Sequence, residues 1–208
     1  MNSIELLNNK DIRNFIYDDS NRKVLIASRR MGKTSALCYN IIKNSIGLPR
    51  DSVFLAGHNA PIEYMKDTLM NLSSKFDIQV ECNKISGGRI YRVTIEQSNV
   101  YLMTWSAFRT SYRHLRVKDI YIDEPTSITS LNLRELLTEV TYRTTWTNND
   151  SKLIIAGSFF AGSPGILDDI SSNTSFSRHI AKGEYAPEFL DCFTPEQYRA
   201  EILCENSR

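Results

Sequence analysis

Four short runs that are apolar throughout recur along the chain: Val24 to Ala27, Val53 to Ala56, Ile120 to Ile122 and Leu153 to Ala156. A strand covered on both faces has this uninterrupted pattern, whereas a strand with one wet face alternates. Apolar positions recur every three and four residues from Lys33 to about Ser45, from Ile62 to about Lys75 and from Leu131 to about Thr141, the spacing of helices that bury one face. Strands alternating with helices predict an α/β fold, a mainly parallel central sheet flanked by helices. The pattern changes between the second and third apolar runs. There Ile78 to Cys82, Ile90 to Ile95 and Val100 to Thr104 are further strand candidates, with Gly87-Gly88 and Ser98-Asn99 as turns, which predicts an antiparallel insertion or edge ribbon. Toward the C-terminus, Thr194 as cap and Pro195 at the first helical position predict a last helix running toward Cys204.

The turn after the first apolar run carries the clearest chemistry. Ala27-Ser28-Arg29-Arg30-Met31-Gly32-Lys33-Thr34 matches the phosphate-loop pattern G-x-x-x-x-G-K-[ST] at every position but the first, where alanine replaces glycine. Such a loop works because backbone N–H groups at a helix N-terminus point at phosphates, the lysine reaches the β and γ oxygens, and the hydroxyl ligates magnesium. Residues Ser28, Arg29, Arg30, Met31, Gly32, Lys33, Thr34 and Ser35 are thus the candidate nucleotide contacts, with Thr34 also a metal ligand. A chance G-K-T at a helix start is the alternative, and the strand before it and helical pattern after it argue against that.

Lys118-Asp119-Ile120-Tyr121-Ile122-Asp123-Glu124-Pro125 is an apolar strand ending in two acids, at the end of the sheet where such folds place their ligand. It reads as a Walker B strand, in which Asp123 holds magnesium and Glu124 orients and deprotonates the water that attacks the γ-phosphate. Two acids after a strand also suit a solvated turn; their position downstream of a phosphate loop makes the pair more specific. A third run, Leu153 to Ser158, ends in Ala156-Gly157-Ser158. Ser158 is a candidate γ-phosphate sensor, and a plain Gly-Ser turn is the alternative.

With these motifs in place, the chain resembles the ATPase domain of viral large terminases, motors that package double-stranded DNA into procapsids. The deviant loop S-R-x-x-G-K-T of that family is matched by Ser28-Arg29-Arg30-Met31-Gly32-Lys33-Thr34, its Asp-Glu strand by Ile120 to Glu124, and its coupling motif by Ala156-Gly157-Ser158. Val53 to His58 and the helix after it resemble the family's next strand and helix, and Phe193 to Glu205 resembles its linker helix. The resemblance covers nearly the whole chain.

It implies an additional-strand (ASCE) P-loop domain over residues 1–190 and a linker helix over 191–208. It implies an ATPase using ATP and Mg2+, with double-stranded DNA and a portal or procapsid as partners, in the cytoplasm of a host cell. The subunits would form a homo-oligomeric ring, a pentamer by the resemblance, or a monomer in isolation. Arg29 would contact the γ-phosphate or couple it to the Walker B acid. An arginine about a dozen residues before the glutamate would act in trans on the neighbouring site; Arg113 is the first choice, with Arg116 and Arg109 in reserve. The segment from Arg109 to Lys118 is cationic and free of acids, which equally suits a solvated basic turn. Full-length members continue into a nuclease domain, for which these residues leave no room. The adenine-contacting glutamine of many such motors is not evident near Asp11 to Asp18. Other readings are a different P-loop motor, such as a helicase or transposition ATPase, and a non-hydrolysing nucleotide-binding module; Glu124 argues against the last.

Lys84, Arg89 and Arg92, around Gly87-Gly88, are a candidate DNA-facing group, though charge at a ribbon tip also protects a sheet edge. Trp105 and Trp146 are expected to pack, since a duplex offers no unstacked bases. Twenty-five Lys and Arg against twenty-four Asp and Glu give a formal charge of +1, so any nucleic-acid surface must be local. No apolar run approaches the roughly 20 residues that cross a bilayer, and the N-terminus lacks the pattern of a secretory signal. The expectation is a cytosolic protein. Cys38, Cys82, Cys192 and Cys204 form no C-x-x-C pair and are expected as reduced thiols.

Overall fold

The computed structural model describes residues 9–28, 30–85, 90–128, 132–144, 150–159, 165–183, 194–197, 199 and 203–204. In chain order the elements are α1 (Lys10–Tyr17), β1 (Arg22–Ala27), α2 (Lys33–Ser45), β2 (Ser52–Ala56), α3 (Asn59–Lys75), β3 (Val80–Ile85), β4 (Ile90–Ile95) and β5 (Ser98–Thr104). They continue with α4 (Trp105–Thr110), β6 (Asp119–Asp123), a 3-10 turn (Pro125–Ser127), α5 (Leu133–Arg143), β7 (Leu153–Gly157), α6 (Ile166–Ser172), β8 (Ser177–Ala181) and a helical turn (Pro195–Gln197).

The strands form one eight-stranded sheet in the order β3-β4-β5-β2-β6-β7-β1-β8. From β5 to β8 every pairing is parallel, while β3, β4 and β5 pair antiparallel at one edge. Both features agree with the sequence pattern. The strand that makes this an additional-strand fold is β7, inserted between the phosphate-loop strand β1 and the acid-bearing strand β6. Ile26 is level with Gly157, and Asp123 with Ala156. The register therefore brings the C-terminal ends of β1, β7 and β6, and the three motifs, to the same edge.

Alternate residues of each strand feed two apolar layers. Leu25, Phe54, Tyr121 and Ile154 pack beneath α1, α2 and α3, and Val24, Val53, Ile122 and Ile155 pack beneath α4, α5 and α6. Trp105 is buried against Phe108 with ring centroids 6.0 Å apart, in the packing role expected of it; Trp146 lies outside the described residues.

Several boundaries differ from the periodicity. Helix α3 begins at Asn59, ahead of Ile62, and takes Pro61 into its first turn, where the missing N–H has no helical acceptor to lose. Strand β3 covers Val80–Ile85 instead of starting at Ile78, and α5 starts at Leu133 with Asn132 as cap, its side chain accepting from Glu135 N–H at 2.9 Å. Helix α1, helix α4 and strand β8 are additions to the sequence reading. Thr194 does cap: its hydroxyl accepts from Gln197 N–H at 3.2 Å while the Gln197 side chain accepts from Thr194 N–H at 3.0 Å, a reciprocal box. The Gly87-Gly88 turn and most of the last helix lie outside the described residues.

Candidate nucleotide site

After the buried Ala27 the chain turns back on itself to enter α2. Arg30 has φ 60° and Gly32, the residue before the helix, φ 76°. Glycine holds the latter left-handed conformation without strain. The first turn of α2 then presents N–H groups that have no intrahelical acceptor, which is the anion-binding device the loop motif requires.

Lys33 lies folded over its own loop. Its Nζ donates to the carbonyls of Ala27 and Ser28 at 3.2 and 3.1 Å and sits 3.3 Å from Glu124 Oε1. Next to it, Thr34 Oγ1 donates to Asp123 Oδ2 at 2.7 Å. Asp123 is buried, and its second oxygen, Oδ1, has no hydrogen-bond partner among the described residues. Burial, and then the neighbouring Glu124 charge, push its carboxyl up to about 7, against the opposing pull of Thr34 and Lys33. A buried carboxylate oxygen left unsatisfied beside a hydroxyl fits a hard divalent cation, whose other ligands would be phosphate and water oxygens. Among the described residues no group of three or more His, Cys, Asp or Glu is placed to hold a metal ion, so such a site would depend on the nucleotide.

Glu124 is itself in a left-handed conformation, φ 46° and ψ 64°, which costs a non-glycine residue of order 1–3 kcal/mol unless its surroundings fix it. The surroundings do so from three sides. Glu124 N–H donates to Ala156 O at 2.8 Å, and its carbonyl accepts from Ser127 N–H and Ser127 Oγ at 2.9 and 2.7 Å. The carboxylate accepts from Ser158 N–H at Oε2, 2.9 Å, and from Ser158 Oγ at Oε1, 3.3 Å. A Cβ on Gly157 would lie 2.8 Å from Leu167 Cδ1 and 3.3 Å from Glu124 Oε2. Ala156, Gly157 and Ser158 therefore act on Glu124 through a carbonyl, an absent side chain and two donors, a contact between distant segments that neither motif reveals alone.

Arg30, Gly32, Lys33, Thr34, Ser35, Tyr64 and Glu124 line a pocket of about 320 Å³. Tyr64, from α3, is the member the sequence did not single out. Two of the candidate nucleotide contacts turn elsewhere. Ser28 N–H donates to Ala181 O at 3.0 Å, and its hydroxyl accepts from Gly183 N–H at 3.1 Å and lies 3.6 Å from Cys204 Sγ, so Ser28 ties the loop to β8 and to the C-terminal segment. The Met31 side chain is part of the core. Arg29 lies outside the described residues.

The remaining candidates are elsewhere. Arg113 is exposed, its Nε donating to Arg109 O at 3.0 Å, and Arg109 pairs with Glu135. Arg109, Arg113 and Arg116 border a separate hollow of about 650 Å³ along α4 and α5 with Trp105 and Tyr142; none of the three lines the phosphate pocket. Lys84 is opposite Tyr91, and Arg92 is opposite Asn83, so in a pleated ribbon these two cations point to opposite faces. They do not form one patch, and Arg89 lies outside the described residues. Cys38, Cys82 and Cys204 are free thiols; Cys192 is outside the described residues.

No protein-family model and no curated protein sequence matches the chain. Solved structures do match it. The large terminase of a thermophilic bacteriophage superposes with a TM-score of 0.71 at 10% identity, over 93% of this chain and 52% of that one; the same terminase is also solved in complex with ADP and with ATP-gamma-S. The ATPase domain of the Thermus phage P74-26 large terminase matches with a TM-score of 0.61 at 13% identity, over 97% of this chain and 96% of that one. The HK97 bacteriophage large terminase matches with a TM-score of 0.60 at 16% identity, over 95% of this chain and 43% of that one. The chain thus spans about half the length of the thermophilic phage's terminase, 52%. The mainly parallel sheet with its antiparallel β3-β4-β5 edge is the fold of large terminase ATPase domains.

Proposed function

We propose that this chain is an ATP-hydrolysing motor domain that moves double-stranded viral DNA into a procapsid. The observation that carries the reading is the convergence of Lys33, Thr34, Asp123, Glu124 and Ser158 on one edge of the sheet, around a pocket at the mouth of a phosphate loop. Lys33, now neutralised by Glu124, exchanges that partner for the β and γ oxygens of ATP. Thr34 and Asp123 hold magnesium, which when bound supplies positive charge to the phosphate oxygens. Glu124, oriented by Ser158, accepts the proton of the attacking water. Arg29, Arg30 and the N–H groups of the loop and the first turn of α2 cradle the phosphates.

Arg113 serves a neighbouring subunit. Its guanidinium is exposed and borders a hollow away from its own pocket, so a homo-oligomeric ring would give it a site in trans. The ring, the portal and the duplex are partners in this reading. Lys84 and Arg92 face opposite ways, and only one of them can lie against DNA in any single docking.

Two substitutions test the chemistry. Lys33→Ala is expected to abolish nucleotide binding. Glu124→Gln is expected to bind ATP as the unaltered chain does and to lower single-turnover hydrolysis by at least about 100-fold, the usual effect of losing a general base. Hydrolysis at the unaltered rate by either variant would contradict the assigned roles.

A further inference from the structure

Tyr64 has no part in the chemistry described so far, yet it forms a wall of the same pocket. It stands in the second turn of α3, between the fully buried Ile62 and Met65, and is itself 55% exposed. Among the described residues its hydroxyl takes no hydrogen bond; its carbonyl accepts from Thr68 Oγ1 at 2.7 Å. An aromatic ring that neither packs in the core nor satisfies its hydroxyl, and that lines a pocket of phosphate-binding groups, has its donor available to a ligand.

Topology fixes which end of the nucleotide it would meet. Helix α3 follows β2, and β2 pairs with β6, with Leu55 level with Ile122. Tyr64 therefore enters the pocket from the side of Asp123 and Glu124. The opposite side, beyond β1, belongs to β8. Glu124 marks where water must attack, so a group on its side of the pocket lies by the terminal phosphate, away from the β8 flank.

We propose that the Tyr64 hydroxyl donates a hydrogen bond to the terminal phosphate and makes the site discriminate a nucleoside triphosphate from a diphosphate. The inference rests on the reading of this pocket as an ATP site. A phenol is well matched to this role. As a neutral donor it adds a directional contact where Lys33 and the metal already supply charge, and a diphosphate leaves it without a partner.

The test compares the affinities of ATP-gamma-S and ADP, in magnesium, for the unaltered chain and for Tyr64→Phe. That substitution keeps the ring and removes only the hydroxyl. Binding of ATP-gamma-S is expected to weaken about tenfold, the effect of one hydrogen bond to a charged acceptor, while ADP binding stays unchanged. Equal affinities of variant and unaltered chain for both nucleotides, or equal losses for both, would overturn the contact with the terminal phosphate. An unaltered chain that bound neither nucleotide would overturn the reading of the site itself, which separates the two failures.

Discussion

Ser158 grips the Glu124 carboxylate through two donors of unequal standing. The N–H bond, at 2.9 Å, survives any side-chain change, whereas the hydroxyl contact, at 3.3 Å, is shared with the carbonyl of Ala27 at 3.1 Å. Ser158→Ala therefore removes only the weaker part, and hydrolysis is expected to fall roughly fivefold, for about 1 kcal/mol of lost orientation, with nucleotide affinity unchanged. Gly157→Ala is expected to cost more, because its Cβ meets Leu167 at 2.8 Å and the Glu124 carboxylate at 3.3 Å, so the glutamate or the helix behind it must shift. Single-turnover rates rank the two; a Ser158→Ala rate below that of Gly157→Ala would contradict this assignment. The grouping of Lys33, Thr34, Asp123 and Glu124 was legible because each motif is contiguous in sequence. Tyr64, and the grip of Ser158 on Glu124, were not, since each depends on segments that meet only in the folded sheet.

At the scale of elements, α1 shows why part of the fold escaped the pattern. Its eight residues offer only Ile12, Phe15 and Ile16 as buried positions, too few to display a period, and an isolated helix of that length is marginal. Tertiary contacts hold it. Lys23, buried at the start of β1, donates from Nζ to Phe15 O and Asp18 O at 2.7 and 2.6 Å, and burial pulls its amine down to about 7. Asp18, after the helix, lies 2.8 Å from His179 Nε2 of β8. Burial pushes the Asp18 carboxyl up, but hydrogen bonds from Ser177, Ser20 and His179 outweigh it and hold it well below the usual range. A carboxyl lowered by folding contributes stability above its unfolded pKa, about 3.9, and loses it as the pH falls through the folded value. Asp18→Asn should therefore melt below the unaltered chain at neutral pH, with the gap closing below about pH 4. A gap constant from neutral to strongly acid solution would contradict the role of this carboxylate. Strand β8 escaped for a related reason: Ser177, Arg178 and His179 interrupt the apolar run expected of a covered strand, as suits an edge strand.

At the scale of the whole molecule, the four apolar runs disclosed the α/β class, but not which strands are neighbours, because a period fixes which face of a strand is buried and leaves its partner open. The insertion of β7 between β1 and β6 emerged only from the folded sheet, and it is this order that makes Gly157 and Ser158 neighbours of both the phosphate loop and Glu124. No helix among the described residues is long and apolar enough to cross a membrane. The structural likeness to terminase ATPase domains, at 10–16% identity, establishes the fold; the duplex as partner is the step that experiment must supply. The most direct measurement is the steady-state rate of ATP hydrolysis by the unaltered chain with and without duplex DNA. A packaging motor should hydrolyse ATP, and faster when duplex DNA is present; a rate that duplex DNA leaves unchanged would count against that role.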